Sequence, residues 1–283
     1  MSIGIRLQDA QGQTLAQRAD TAKSLGCGCV HLALNKVMGS EYTDPTLLTP
    51  GLAAYIRKQI APMDLAALGC FLNLAHPYGS TAQEIQNKYI AHLRFARWAG
   101  APLVVTETGN PNTDYHYDPV ASHSEEALDV FIHRLAPVVK AAEKLGMVIA
   151  IKPVWRHIVY DGQRARRVLD AIDSPNLQVA LDPVNLLAKE NMDRKDQVMD
   201  EALDLLMPDI AMLHIKDYLV EGVPRAVAAG EGLMDFRHIF ERLAPKKPFI
   251  HIALENTTAE NAARALLHVR TQWQEAGGQQ VDA

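Results

Sequence analysis

Lys152 ends the apolar run "VIAIK", and it is the residue there that needs explaining. An ammonium group at the end of a buried strand requires an anionic partner, because an unpaired buried charge costs several kcal/mol. Similar groups stand at or just past other apolar runs. His76 follows "CFLNLA", Glu107 ends "PLVVTE", and Asp182 and Asn185 lie in "LDPVN". His214, Lys216 and Asp217 lie in "HIKD", and Glu255 and Asn256 end "ALEN". Each alone has an ordinary reading as a hydrogen-bonded residue at a strand end. Gathered at one place, carboxylates, imidazoles and ammonium groups can move protons beside a carbonyl or hold a divalent cation. Arg156 and His157 follow directly on strand five and are placed to meet a substrate. Trp155 and Tyr160, in the same loop, suit stacking on a ligand, lining a lid or anchoring the loop.

Such a set is useful only if the strands bring it together. The expected strands are Ile3 to Leu7, "CVHLAL" from Cys29, "CFLNLA" from Cys70, "PLVVTE" from Pro102 and "MVIAIK" from Met147, then "LQVALD" from Leu177, "IAMLHIK" from Ile210 and "FIHIALE" from Phe249. Amphipathic helical stretches fill the intervals. The stretch from Thr81 opens with a capping-box pair, Thr81 and Glu84, and another runs from Ser124 through Pro137 to a terminal Gly146. Arg164, Arg166 and Arg167 read as a solvated helix face. Near-continuous apolar strands alternating with helices imply a parallel sheet covered on both faces. Eight such units favour a closed (β/α)8 TIM barrel, which gathers its strand ends at one mouth. No G-x-G-x-x-G follows the first strand, so no nucleotide cofactor is expected. Gly230-Glu231-Gly232, after a polar loop from Glu221, suits either a ligand's approach or a turn before a helix near Asp235.

The chain of 283 residues, 48% hydrophobic, is long enough for one barrel domain over 1–275, with a flexible tail expected over 276–283. A net charge of −5 argues against nucleic acid as a partner. The absence of a long apolar run argues against a membrane span, and the N-terminus resembles no export signal. Cys27, Cys29 and Cys70 read as core residues of a cytoplasmic protein.

"TETGNP", "LDPVN", "HIKD", "AGEGLMDF" and "ALEN" together resemble the xylose-isomerase-like barrels, the sugar phosphate isomerases and epimerases. The resemblance implies that strands five to eight present Glu, Asp, His and Glu to one Mn²⁺, Mg²⁺, Co²⁺ or Zn²⁺ ion. The matching positions here are Lys152, Asp182, His214 and Glu255, so Asp182, His214 and Glu255 are the metal ligands if a metal is retained. Lys152 replaces the first carboxylate with a cation that has no lone pair to offer. Asn185 stands where the ketose epimerases carry a substrate-binding His.

The expectation is that Lys152 takes the ion's place and bridges Asp182 and Glu255. Glu255 would be the general base, His214 and Lys152 electrophilic stabilisers, and Asp182 an orienting group. The expected substrate is a small polyhydroxy or keto compound, met by His76, Glu107, Arg156, His157, Asn185 and Asp217. His76, Glu107, Lys152, Asp182, His214 and Glu255 are expected to line one cavity. A non-catalytic sugar-binding relative and a lyase using a Lys152 Schiff base are the alternatives. The resemblance also implies a homodimer.

Overall fold

The computed structural model describes residues 1–221 and 223–279. Eight parallel strands close into a barrel: β1 (Ser2–Arg6), β2 (Cys29–Leu32), β3 (Asp64–Gly69), β4 (Leu103–Glu107), β5 (Val148–Lys152), β6 (Leu177–Leu181), β7 (Ile210–Ile215) and, after a hairpin, β10 (His251–Leu254). Strand β1 pairs with both β2 and β10, and this closes the ring. The hairpin is β8 (Asp217–Glu221) against β9 (Val223–Val227), antiparallel, where the sequence suggested only a polar loop.

Side-chain alternation sets the barrel's interior. A buried floor is built from Cys29, Ala66, Ala67, Leu103, Val105, Ala150, Ala180, Met212 and Ala253, while the neighbours of opposite parity, such as Ile149 and Ile151, pack outward against the helices. Two residues past a floor position, the side chain points inward again. That rule carries Cys29 to His31, Val105 to Glu107, Ala150 to Lys152, Ala180 to Asp182, Met212 to His214 and Ala253 to Glu255. Strand β1 reaches the mouth with Arg6, two residues past Gly4. At Gly4 a Cβ would lie 1.5 Å from the Cys29 carbonyl oxygen, so no larger residue fits.

The third strand lies earlier than expected. "DLAALG" forms β3 and "CFLNLA" is the loop beyond it, so His76 is seven positions past the strand rather than at its tip. The helix after it spans Gly79–Ala99 and begins at Tyr78 without a side-chain cap, which leaves the Thr81 and Glu84 pair inside the first turns. The next helix, Glu125–Leu145, is capped by Ser124 and ended by the left-handed Gly146, as expected. Arg164 is buried rather than solvated. It donates to the Ile158 and Ser124 carbonyls and pairs with Glu125 at 2.9 Å.

All three cysteines are buried and free. Among the described residues no helix is long and apolar enough to cross a membrane. Of the tail expected over 276–283, residues 280–283 lie outside the described residues. Gln279 is tied down, its carbonyl accepting from the Trp273 indole and the Met1 amino group, both at 3.2 Å.

Candidate functional site

Glu255 is the hub of the mouth. Its Oε1 accepts from Lys152 Nζ at 3.0 Å and lies 2.8 Å from His214 Nδ1. Its Oε2 accepts from Lys216 Nζ and from Arg6 at 3.1 Å each. Lys216 also reaches Asp182 Oδ2 at 2.6 Å and Asn185 Oδ1 at 2.7 Å, while Lys152 faces Glu107 Oε1 at 3.5 Å. The expected bridge is therefore divided: Lys152 joins Glu255 to Glu107, and Lys216 joins Glu255 to Asp182.

Burial and charge fix the protonation states. Burial pulls the Lys152 pKa down, but Glu255, Glu107 and Asp182 outweigh it and leave it raised, so the ammonium persists. Burial alone would push the Glu255 carboxyl up, but Lys152, Lys216 and His214 hold it well below the usual carboxylate range. His214 is pulled down by burial and then by Lys152, so it is neutral at pH 7. His31, stacked at 4.7 Å on His214, is lowered further by burial and by His214 itself. The hydrogen-bond pattern then assigns tautomers: His31 Nδ1–H donates to His214 Nε2 at 2.8 Å, and His214 Nδ1–H donates to Glu255.

Glu107 is the carboxylate closest to solvent in this group, with 27% of its side chain exposed, against 3% for Lys152 and Glu255. Two buried polar atoms near it have no hydrogen-bond partner among the described residues, the Tyr115 hydroxyl and His157 Nδ1. The two rings meet edge to face at 5.3 Å. Burial lowers the His157 pKa to about 4, more than Glu107 raises it, so the ring is neutral at pH 7.

Other residues named from the sequence lie elsewhere. His76 is half-buried, and its Nδ1 accepts the Tyr78 amide at 3.3 Å. Arg156 is exposed and stands 5.4 Å from the Trp155 ring. A cavity of about 560 Å³ is lined by none of the six residues expected to share one. Asp217 has the opposite parity to His214 and Lys216 and faces the hairpin. Its carboxylate accepts the amides of Tyr218 and Met234 at 2.8 Å, Gly232 at 3.0 Å and Gly230 at 3.1 Å. A Cβ on Gly232 would lie 2.4 Å from that carboxylate, so the Gly-Glu-Gly segment is a turn tied to Asp217. Asp217→Ala is expected to cost about 3 kcal/mol, since hydrogen bonds to a charged acceptor are the stronger kind and the amides lose it together. Urea denaturation checks this. An unchanged midpoint with weakened ligand binding would return Asp217 to the substrate.

Asp182, His214 and Glu255 carry donor atoms within 4.8 Å of one another, close enough to hold one ion. Most of their acceptor sites are already engaged. Lys152, His214, Lys216 and Arg6 occupy both Glu255 oxygens, Lys216 occupies Asp182, and His31 occupies His214 Nε2. An added divalent ion would meet three cationic side chains around the same oxygens. As arranged, the donor set does not fit a resident metal.

Sequence reasoning missed three residues of this neighbourhood, Arg6, His31 and Tyr115. The first two sit on strand positions of inward parity, a signal present in "IGIR" and "CVHL". Tyr115 lies in the loop after β4 and carried none.

Solved structures with the same fold include a 3-keto-D-glucoside 4-epimerase from E. coli, 16% identical with a TM-score of 0.73, covering 96% of this chain and 99% of that one. A D-tagatose 3-epimerase-like protein is 16% identical with a TM-score of 0.77, covering 98% of both chains. An IolI protein with a bound zinc atom is 16% identical with a TM-score of 0.72, again covering 98% of both. No curated protein matches the sequence. The family model described as xylose isomerase-like TIM barrel matches residues 19–272, and with the closed barrel and its ring of strand-end groups this places the chain in that family.

Proposed function

We propose that the protein is an isomerase or epimerase acting on a small polyhydroxy or keto compound by proton transfer beside a carbonyl, with the ammonium groups of its own chain supplying the positive charge. The Lys152 ammonium, held between Glu255 and Glu107, carries this reading. A carbonyl oxygen that gains negative charge as its α-proton leaves is stabilised by a fixed donor in a dry site, and Lys152 is such a donor. Glu255 was the base expected from the sequence. With both oxygens engaged and its pKa held low it is a poor proton acceptor, so the role passes to Glu107, at the edge of the cluster. Glu255 positions Lys152 and Lys216. Tyr115 and His157, with unsatisfied polar atoms, would meet substrate hydroxyls. A Schiff base through Lys152 is disfavoured, because the flanking carboxylates keep the amine protonated.

The general kind of reaction is supported by the epimerases among the structural relatives. The test is deuterium incorporation from D₂O into D-tagatose, L-ribulose and a 3-keto-D-glucoside, followed by NMR after metal chelation. Incorporation should occur without metal and fall about 10²- to 10⁴-fold in Glu107→Gln. Loss of exchange on chelation, restored by Mn²⁺ or Zn²⁺, would overturn the metal-free reading. The full burial of Asp182 and His214 favours a second reading, a non-catalytic sugar binder. Thermal stabilisation by one of these sugars with no exchange into any of them would establish it.

A further inference from the structure

A second compartment lies beside the mouth. The loops after β4, β5 and β6, the start of the helix Gly162–Ile172 and the helix Lys195–Leu206 line the cavity of about 560 Å³, within the size range of small-molecule sites, roughly 300–1,000 Å³. Aromatic rings form one part of its lining. Tyr117 meets Trp155 edge to face at 5.3 Å, and His123 lies 4.1 Å from Tyr160. Glu190 and Arg194 contribute charged groups of opposite sign to the lining. One link ties it to the mouth: the Trp155 amide donates to the Asn185 carbonyl at 2.7 Å, and the Asn185 side chain accepts from Lys216.

We infer that this cavity binds a neutral saccharide unit, at a site separate from the cluster around Glu255. Its rings offer apolar surface to the C–H faces of a pyranose. Glu190 accepts hydrogen bonds only and Arg194 donates only, so the lining can satisfy hydroxyl groups, which do both. Asp161, Glu190 and Glu201 outnumber Arg194 in the lining, but a cationic ligand would find ring faces already met by guanidinium groups. The guanidinium of Arg156 stands 5.4 Å from the Trp155 ring, that of Arg164 stands 4.9 Å from the Tyr160 ring, and Arg194 lines the cavity itself. An anion would meet Glu190, Asp161 and Glu201.

Saturation-transfer NMR and calorimetry on the full chain, with methyl β-glucoside, cellobiose, maltose and trehalose as probes and tetramethylammonium as the cationic control, test the inference. At least one saccharide should bind in the millimolar range, with its ring protons receiving saturation from aromatic side chains. Its affinity should drop about tenfold or more in Trp155→Ala and, as a separate loop variant, in Tyr117→Ala. Glu107→Gln should leave this binding unchanged, which separates the cavity from the chemistry proposed for the mouth. The inference is overturned if none of the saccharides binds, if binding survives the loss of Tyr117, if Glu107→Gln abolishes it, or if tetramethylammonium binds more tightly than any sugar.

Discussion

Glu255→Ala is expected to destabilise the protein by about 4–5 kcal/mol, the size observed when one partner is deleted from a buried ion pair. Arg6, Lys152 and Lys216 all converge on this carboxylate, and without it they face one another with only Glu107, Asp182 and Asp9 left to compensate. Denaturant unfolding measures the loss. Adding Lys152→Met to Glu255→Ala removes one of the stranded cations, so the double variant should be more stable than the additive sum by about 2 kcal/mol, as coupled neighbours are. A loss below about 1 kcal/mol in the single variant would mean that the ring does not form in solution.

Lys152→Glu should convert the cluster into a metal site. Arg6, Lys152 and Lys216 face Glu107, Asp182, Glu255 and Asp9; the substitution leaves two cations against five carboxylates. One divalent ion offsets most of that excess, and the new carboxylate completes the Glu, Asp, His, Glu set. In chelator the variant should lose about 3–5 kcal/mol through like-charge repulsion and lost pairing. Mn²⁺ at a hundred times its dissociation constant should restore about 2.7 kcal/mol. The wild type should melt at the same temperature in chelator and in Mn²⁺. Equal metal stabilisation of the two proteins would show that Lys152 does not stand where the ion would.

The barrel was legible because strands covered on both faces are written in branched and small apolar residues. "MVIAIK" and "LQVALD" could hardly be anything else. The third strand was misplaced for the same reason in reverse: "DLAALG" spends its inward positions on Ala and on Gly69, where a Cβ would meet Phe71 and His31, and so looks less strand-like than the bulkier loop "CFLNLA" that follows. At the mouth, Glu107, Lys152, Asp182, His214 and Glu255 were found because each ends an apolar run. Their pairing was legible only in part: Lys152 meets Glu255 as expected but Glu107 in place of Asp182, since which carboxylate a lysine meets depends on the stagger of neighbouring strands. Asp217 shows the limit of reading by proximity alone. One residue after Lys216, it belongs to the opposite face of the chain, and parity applied to "HIKD" separates the two.

The ion pair between Arg6 and Glu255 joins the first barrel strand to the last, across almost the whole length of the chain. During synthesis, Arg6, Lys152 and Lys216 are all made before the carboxylate that gathers them. A nascent chain stopped short of β10 holds three cations at an unfinished rim, with the edges of β1 and β7 exposed to other chains. Closure is thus both a backbone event and an ion-pairing one, and it waits for one of the longest-range contacts in the fold. Truncation before His251 should therefore give a product that chaperones retain or proteases clear, while an intact chain gains its last strand and the ion pairs to Glu255 in the same step.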